Sequence, residues 1–294
     1  MVGYKQSLKT IMLATDLSSA SCGALNYARQ LAKLFCARLL VVHVIDPNAA
    51  CSGTAPEKTR IAEFMGPAEE KLQKISASLA YDFIRHSTIV RHGDIRETIL
   101  RLVRDRQVDL LVTGARGGCG KEDDRAQGSV AEMLLRSMPC PVMTVGSNVR
   151  QDAFEGTHLR RVLLPTDLSE ELPSAVVYAE RLTQFLAGQL ILMHVAQEAP
   201  GPADNGISAQ LEPFASVLKK MEDPSIVAGY INREGPTADA IVRVANEKHV
   251  DLIVLGAYEG REPSGRRTQR VVSNVIRSAR CPVFTVCPSA HLSP

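Results

Sequence analysis

The chain has 294 residues, 45% apolar and 22% charged, with a net charge of +2. That length allows two ordinary domains, each with its own core. The near-neutral balance, the 4% aromatic content and the absence of tryptophan argue against a nucleic-acid platform, and no apolar run approaches the roughly 18 residues of a membrane-spanning helix.

The seven cysteines include no Cys-x-x-Cys, and Met1–Lys5 carries no apolar stretch. We therefore expect reduced thiols and a cytoplasmic location. Thr10–Ala14 is a short apolar run of the kind a buried strand needs. Ser18–Phe35 follows with apolar residues at helical spacing, and Ser18, Ser19 or Ser21 can cap it. Arg38–Val44 is a second strand, Glu57–Leu79 a helix, Ile84–Val90 a strand and Ile95–Val103 a short amphipathic helix. Val108–Thr113, a glycine-rich loop, helix Ser129–Ser137 and strand Pro141–Val145 complete the series.

The same text then returns. Thr15-Asp16-Leu17-Ser18 reappears as Thr166-Asp167-Leu168-Ser169, His43-Val44 as His194-Val195, and Asp109–Gly114 as Asp251–Gly256. Cys140-Pro141-Val142 reappears as Cys281-Pro282-Val283. In the second copy we expect strands at Arg161–Pro165, Gln189–Val195, Ile226–Asn232, Leu252–Leu255 and Val283–Val286. Helices are expected at Glu170–Leu186, near Ala209–Met221, at Thr237–Glu247 and at Val271–Ser278. The offset between copies falls from 151 at Asp16 to 142 at Gly114, so the second copy is nine residues shorter, most simply after Val195. Continuously apolar strands alternating with helices predict an α/β fold: two copies of a five-stranded parallel sheet doubly wound with helices. We expect domains at 1–148 and 158–294, joined by a polar linker.

Ligands of open parallel sheets bind beyond the carboxyl ends of the strands, where strand order reverses. Two strand ends suit this. One is Ala14-Thr15-Asp16. The other is Gly114-Ala115-Arg116-Gly117-Gly118-Cys119-Gly120, running to Gly128-Ser129 and a helix. Glycines bring backbone N–H groups close to an anion, and a helix start adds further donors. A Walker loop needs four residues before its Gly-Lys; five separate Gly114 from Gly120-Lys121. A dinucleotide fingerprint would follow the first strand, where Gly23 stands alone.

With these residues in this order, the chain resembles the universal stress protein family in its tandem two-domain form. Nucleotide-binding members carry Gly-x2-Gly-x9-Gly-Ser/Thr after the fourth strand. Gly114 and Gly117 match its opening and Gly128-Ser129 its close, with one extra residue between. The resemblance implies a Rossmann-like fold of the adenine-nucleotide alpha-hydrolase type. It also implies a stress-response protein that binds ATP or AMP in its first domain. Asp16 would contact the ribose or adenine side, the Val44 backbone would read the adenine edge, and Gly114, Gly117, Gly128 and Ser129 would hold phosphate. Arg116, within the motif, can add a cation. The family commonly pairs domains through the last strand, which implies an intrachain pseudo-dimer or a homodimer through Val142–Val145 and Val283–Val286.

Each residue also has a plainer role. Asp16 can cap a helix or bond to nearby backbone, Val44 can be strand core, and His43 and His194 suit satisfied core histidines. Glu122-Asp123-Asp124 can hold Mg2+ beside a triphosphate or be a solvated run. In the second copy Asp167, Val195 and Gly256 remain. Glu259 stands where a glycine should, with Gly260 one residue late, and Gln269-Arg270 replaces Gly-Ser. That site is read as degenerate, with Arg261, Arg266, Arg267 and Arg270 in its loop. A slow ATPase or self-phosphorylating enzyme, and a nucleotide-independent scaffold with a protein partner, are the alternative functions.

Overall fold

The computed structural model describes residues 8–46, 57–115, 130–149, 159–168, 173–196, 214–256 and 263–286. Two compact units meet in the chain between Ser147 and Asn148. The first contains β1 (Thr10–Ala14), α1 (Cys22–Leu34), β2 (Arg38–Ile45), α2 (Glu57–Tyr81), β3 (His86–His92), α3 (Ile95–Asp105), β4 (Leu110–Gly114), α4 (Val130–Ser137) and β5 (Val142–Val145). The second contains β6 (Arg161–Thr166), α5 (Pro173–Phe185), β7 (Gln189–Ala196), the single turn α6 (Ala215–Leu218), β8 (Val227–Glu234), α7 (Thr237–Glu247), β9 (Leu252–Gly256), α8 (Pro263–Ser278) and β10 (Val283–Val286).

Within each unit the strands are parallel, in the order β3-β2-β1-β4-β5 and its repeat β8-β7-β6-β9-β10. This is the expected α/β architecture. Strands such as Leu110–Val112 are wholly buried because helices cover both faces. In the first unit α1 and α2 lie on one face, linked by the Asp82 carboxylate, which binds Arg29 at 3.2 Å and Lys33 at 2.9 Å. Helices α3 and α4 pack together on the other. Right-handed crossovers require this division once the chain reverses direction across the sheet between β3 and β4.

One carboxylate ties the amino ends of the two central strands in each unit. Asp109 Oδ2 accepts from the N–H groups of Lys9 at 2.7 Å and Thr10 at 2.8 Å, and the Asp109 N–H donates to Thr10 O at 2.9 Å. Asp251 repeats it: Oδ2 accepts from Arg160 and Arg161, both at 2.9 Å, and its N–H donates to Arg161 O at 2.9 Å. Five helices close on the same left-handed turn. Cys36, Phe83, Gln107, Ala187 and His249 all have positive φ, between 47° and 56°. The N–H after each returns to the helix, for example Val108 to Val103 O at 3.0 Å. This turn delays the strands. β3 begins at His86 rather than Ile84, and β4 at Leu110 rather than Val108, because the earlier residues are spent on the turn.

The copies differ most between their second and third strands. Forty residues separate β2 from β3, but thirty separate β7 from β8. The irregular register at Leu190/Ile191 restores one, since Leu190 faces Val227 while Ile191 faces Gly229. That accounts for the net loss of nine. Of the helix expected near Ala209–Met221, the described residues form only α6, followed by tightening turns. Asp223-Pro224 stops any continuation, because the residue before proline avoids helical geometry. Gly188 marks a close approach: a Cβ there would sit 2.5 Å from Arg160 O. The first copy has Ala37 at this position, so the spacing of this corner has changed.

The α8 helix corrects a second expectation. It starts at Pro263, eight residues before Val271, since proline is preorganised for a first helical turn. Arg266, Arg267 and Arg270 therefore lie on a helix rather than in a loop, and Gln269-Arg270 is inside it; Arg261 lies outside the described residues. Burial, reinforced by the nearby Asp251 carboxylate, pushes the Cys281 thiol up to about 12.

Three outcomes are expected. Asp109→Ala or Asp251→Ala should each lower unfolding free energy by about 1–2 kcal/mol, discounted because water reaches the partly exposed N–H groups; chemical denaturation measures this. Gln107→Gly should stabilise by about 0.5–1 kcal/mol, the left-handed penalty exceeding glycine's extra unfolded entropy; a lower melting temperature would contradict it. Iodoacetamide at pH 8 should label exposed Cys22 and Cys36 and spare buried Cys140 and Cys281 until denaturant is added, as read by peptide mass spectrometry.

Candidate functional site

Strand order reverses between β1 and β4. Their ladder ends at Ala14 and Thr113, and beyond it the two chains part. The cleft so formed is lined by Asp16, Ser21, His43, Val44, Thr113 and Gly114, with Ile95 and Ile99 from α3 and Val130 and Ala131 from α4. Its interior volume is about 110 Å3.

The turn after β1 is built from its own hydroxyls. Leu17 N–H donates to Thr15 Oγ1 at 3.0 Å, and Ser21 Oγ donates to Ser18 O at 2.8 Å. Ser21 has one hydroxyl proton, so across the 2.9 Å Thr15–Ser21 contact Thr15 is the donor. The result is a continuous chain of donors ending on a backbone carbonyl. It holds Leu17 at φ 60°, a conformation costing non-glycine residues about 1–2 kcal/mol. Asp16 Oδ1 accepts from the Ser18 N–H at 3.0 Å and its hydroxyl at 2.8 Å, and Lys71 Nζ of α2 donates to Leu17 O at 3.3 Å. Neither Ser18 nor Ser21 caps its helix through its side chain. Those two hydroxyls serve the turn instead. The plainer role for Asp16 is thus realised in part, and the same residue lines the cleft.

Val44 is buried, 9% exposed, in β2. The last β1–β2 bond is Thr15 N–H to Val42 O at 3.0 Å. Alternate residues of a strand offer their peptide groups to the same neighbour. Val44 is therefore the next residue whose peptide edge points to the β1 side, past the end of the β1 ladder. Gly114 closes β4 against Val145 of β5. Asp16, Val44 and Gly114 thus share one cleft. Arg116, Gly117, Gly128 and Ser129 lie outside the described residues, as do Glu122-Asp123-Asp124 and Cys119.

The turn geometry recurs in the second unit: Leu168 N–H donates to Thr166 Oγ1 at 3.0 Å, with Leu168 at φ 64°. Both histidines are satisfied by it. His43 Nδ1 lies 2.8 Å from Thr15 O and His194 Nδ1 3.0 Å from Thr166 O, so each ring carries its proton on Nδ1. Two polar positions of the first cleft do not recur. Ser21 and Thr113 correspond to Leu172 and Leu255. Sequence reading missed both, although aligning the two copies around them would have exposed the swap. Among the described residues no cluster of three His, Cys, Asp or Glu can hold a metal. None of the described helices is long and apolar enough to cross a membrane.

Comparison with known proteins agrees with this architecture. A universal stress protein of Thermus aquaticus is 31% identical over 139 residues, spanning 47% of this chain and 98% of that protein. One from Synechocystis sp. is 23% identical over 304 residues, spanning 95% of this chain and 99% of its own. The crystal structure of a universal stress protein from Archaeoglobus fulgidus DSM 4304 superposes with a TM-score of 0.73 at 22% identity, over 96% of this chain and 97% of that one, and shares its fold. The Universal stress protein family matches residues 7–146 and again 158–286. The chain therefore belongs to the universal stress protein family, with two copies of its domain.

Proposed function

We propose that the first domain, residues 1–148, binds an adenine nucleotide, ATP or AMP, in the crevice between β1 and β4. The second domain, residues 158–294, does not. The protein then acts as a stress-response regulator whose nucleotide state alters its contacts with a partner. One observation carries this reading: Asp16, Val44 and Gly114, distant in sequence, line a single cleft at the switch point of the sheet. In this reading the Val44 peptide edge meets the adenine ring and Asp16 the ribose. Gly114, Arg116, Gly117, Gly128 and Ser129 surround the phosphates, with Mg2+ accompanying ATP. The hydroxyls of Ser21 and Thr113 keep the cleft polar, and their replacement by leucine in the second copy supports a division of labour.

Isothermal titration of the full chain with ATP and with AMP tests the proposal. One site per chain is expected. Gly128→Asp, which adds bulk and negative charge at the phosphates, should weaken binding at least about tenfold, equivalent to about 1.4 kcal/mol. Thr113→Leu, copying the second domain, should weaken it without lowering the melting temperature. No heat at millimolar nucleotide, or titrations unchanged by Gly128→Asp, would end this reading.

A further inference from the structure

On the opposite side of β2 from β1, α2 and β3 enclose a groove of about 450 Å3, lined by Glu69, Leu72, Gln73, Ser76, Thr88 and Arg91 among others. Ser76 at its wall is paired with His86, the first residue of β3. Ser76 Oγ is 2.8 Å from His86 Nε2, and His86 Nδ1 is 2.8 Å from the Ile84 carbonyl oxygen. A carbonyl only accepts, so the ring proton sits on Nδ1. The neutral ring then offers its Nε2 lone pair to Ser76, whose hydroxyl donates into it. Nucleophile, base and an orienting third group are thus in line, the arrangement that activates a serine. Both side chains are half-buried, within reach of a small molecule. Gln73, one helical turn before Ser76, and Arg91 bring hydrogen-bond donors to the groove, and Leu72 brings an apolar floor.

We infer that Ser76 is a nucleophile activated by His86, accepting the acyl group of small activated esters in the α2–β3 groove. Ser76 Oγ bonds to the ester carbonyl carbon as its proton passes to His86 Nε2. The ester C–O bond breaks, and the departing alcohol or phenol takes that proton. Water, deprotonated by the same nitrogen, then hydrolyses the acyl-serine, releasing a carboxylic acid and restoring Ser76. The charged groups around the pair are Glu69 and Arg91 in the groove, Arg38 of β2 on Ser87 Oγ at 2.6 Å, and Arg85 on Cys36 O at 2.6 Å. Among the described residues the second unit has no such pair, since β8 opens with Val227-Ala228 and α6 is a single turn. The activity is therefore a property of the first unit and independent of the nucleotide cleft.

The test is 4-nitrophenyl acetate added to the full chain, with acetylated serines located by peptide mass spectrometry. Ser76 should acetylate at least about 100-fold faster than Ser78 or Ser87, the order of a general-base contribution. Ser76→Ala should abolish the fast release of nitrophenol, and His86→Gln should slow it about 100-fold. In the unaltered protein the rate should level off as pH rises rather than climb in proportion to hydroxide, as general-base activation requires. That profile decides the matter should His86→Gln disturb β3. Acetylation of Ser76 at the rate of Ser78, or a rate that climbs with hydroxide without levelling, would overturn the inference.

Discussion

The carboxylate of Asp109, and of Asp251 in the second unit, holds the amino ends of the two central strands in fixed register. Strands pinned at one end and hydrogen-bonded along their length have one place to separate, beyond their last shared pair. In the first unit that place is past Ala14 and Thr113. There one chain turns toward α1 and the other runs on toward α4. The cleft is thus a product of sheet topology, and its location depends on the register set at the far end.

The turn that opens the cleft is kept in place by short local bonds rather than by burial. Thr15 donates its hydroxyl proton to Ser21, Ser21 donates to the Ser18 carbonyl, and His43 holds the Thr15 carbonyl from the neighbouring strand. Such a network maintains a left-handed leucine that isolated sterics would reject. Duplication reveals which parts are structural. The threonine, leucine and histidine bonds occur in both units, so they belong to the fold. Ser21 and Thr113 have polar roles only in the first, where the candidate site is.

Much of this was legible in the residues. Apolar runs alternating with 3.6-periodic segments identified every strand and most helices, because burial on both faces leaves a plain compositional trace. The helix ends were less legible. A left-handed turn at Phe83 or Gln107 carries no glycine, so nothing in the sequence marks where the helix stops and the strand is delayed. The early start of α8 was hidden for a related reason: its first turns are polar, and only Pro263 signals them. Asp16 and Gly114 were singled out because they stand at strand ends, and Val44 through the family resemblance. Ser76 and His86 were not, because their meeting depends on how α2 lies across β3.

By itself the sequence determined the duplication, the α/β class and where the strands end, since these follow from periodicity and from residues repeated at fixed offsets. Only the tertiary structure decided which residues share a cleft, which hydroxyls and ring nitrogens bond to one another, and that Thr113 lines the cleft. Those outcomes depend on packing between segments far apart in the chain, and short-range pattern carries no record of distance or angle.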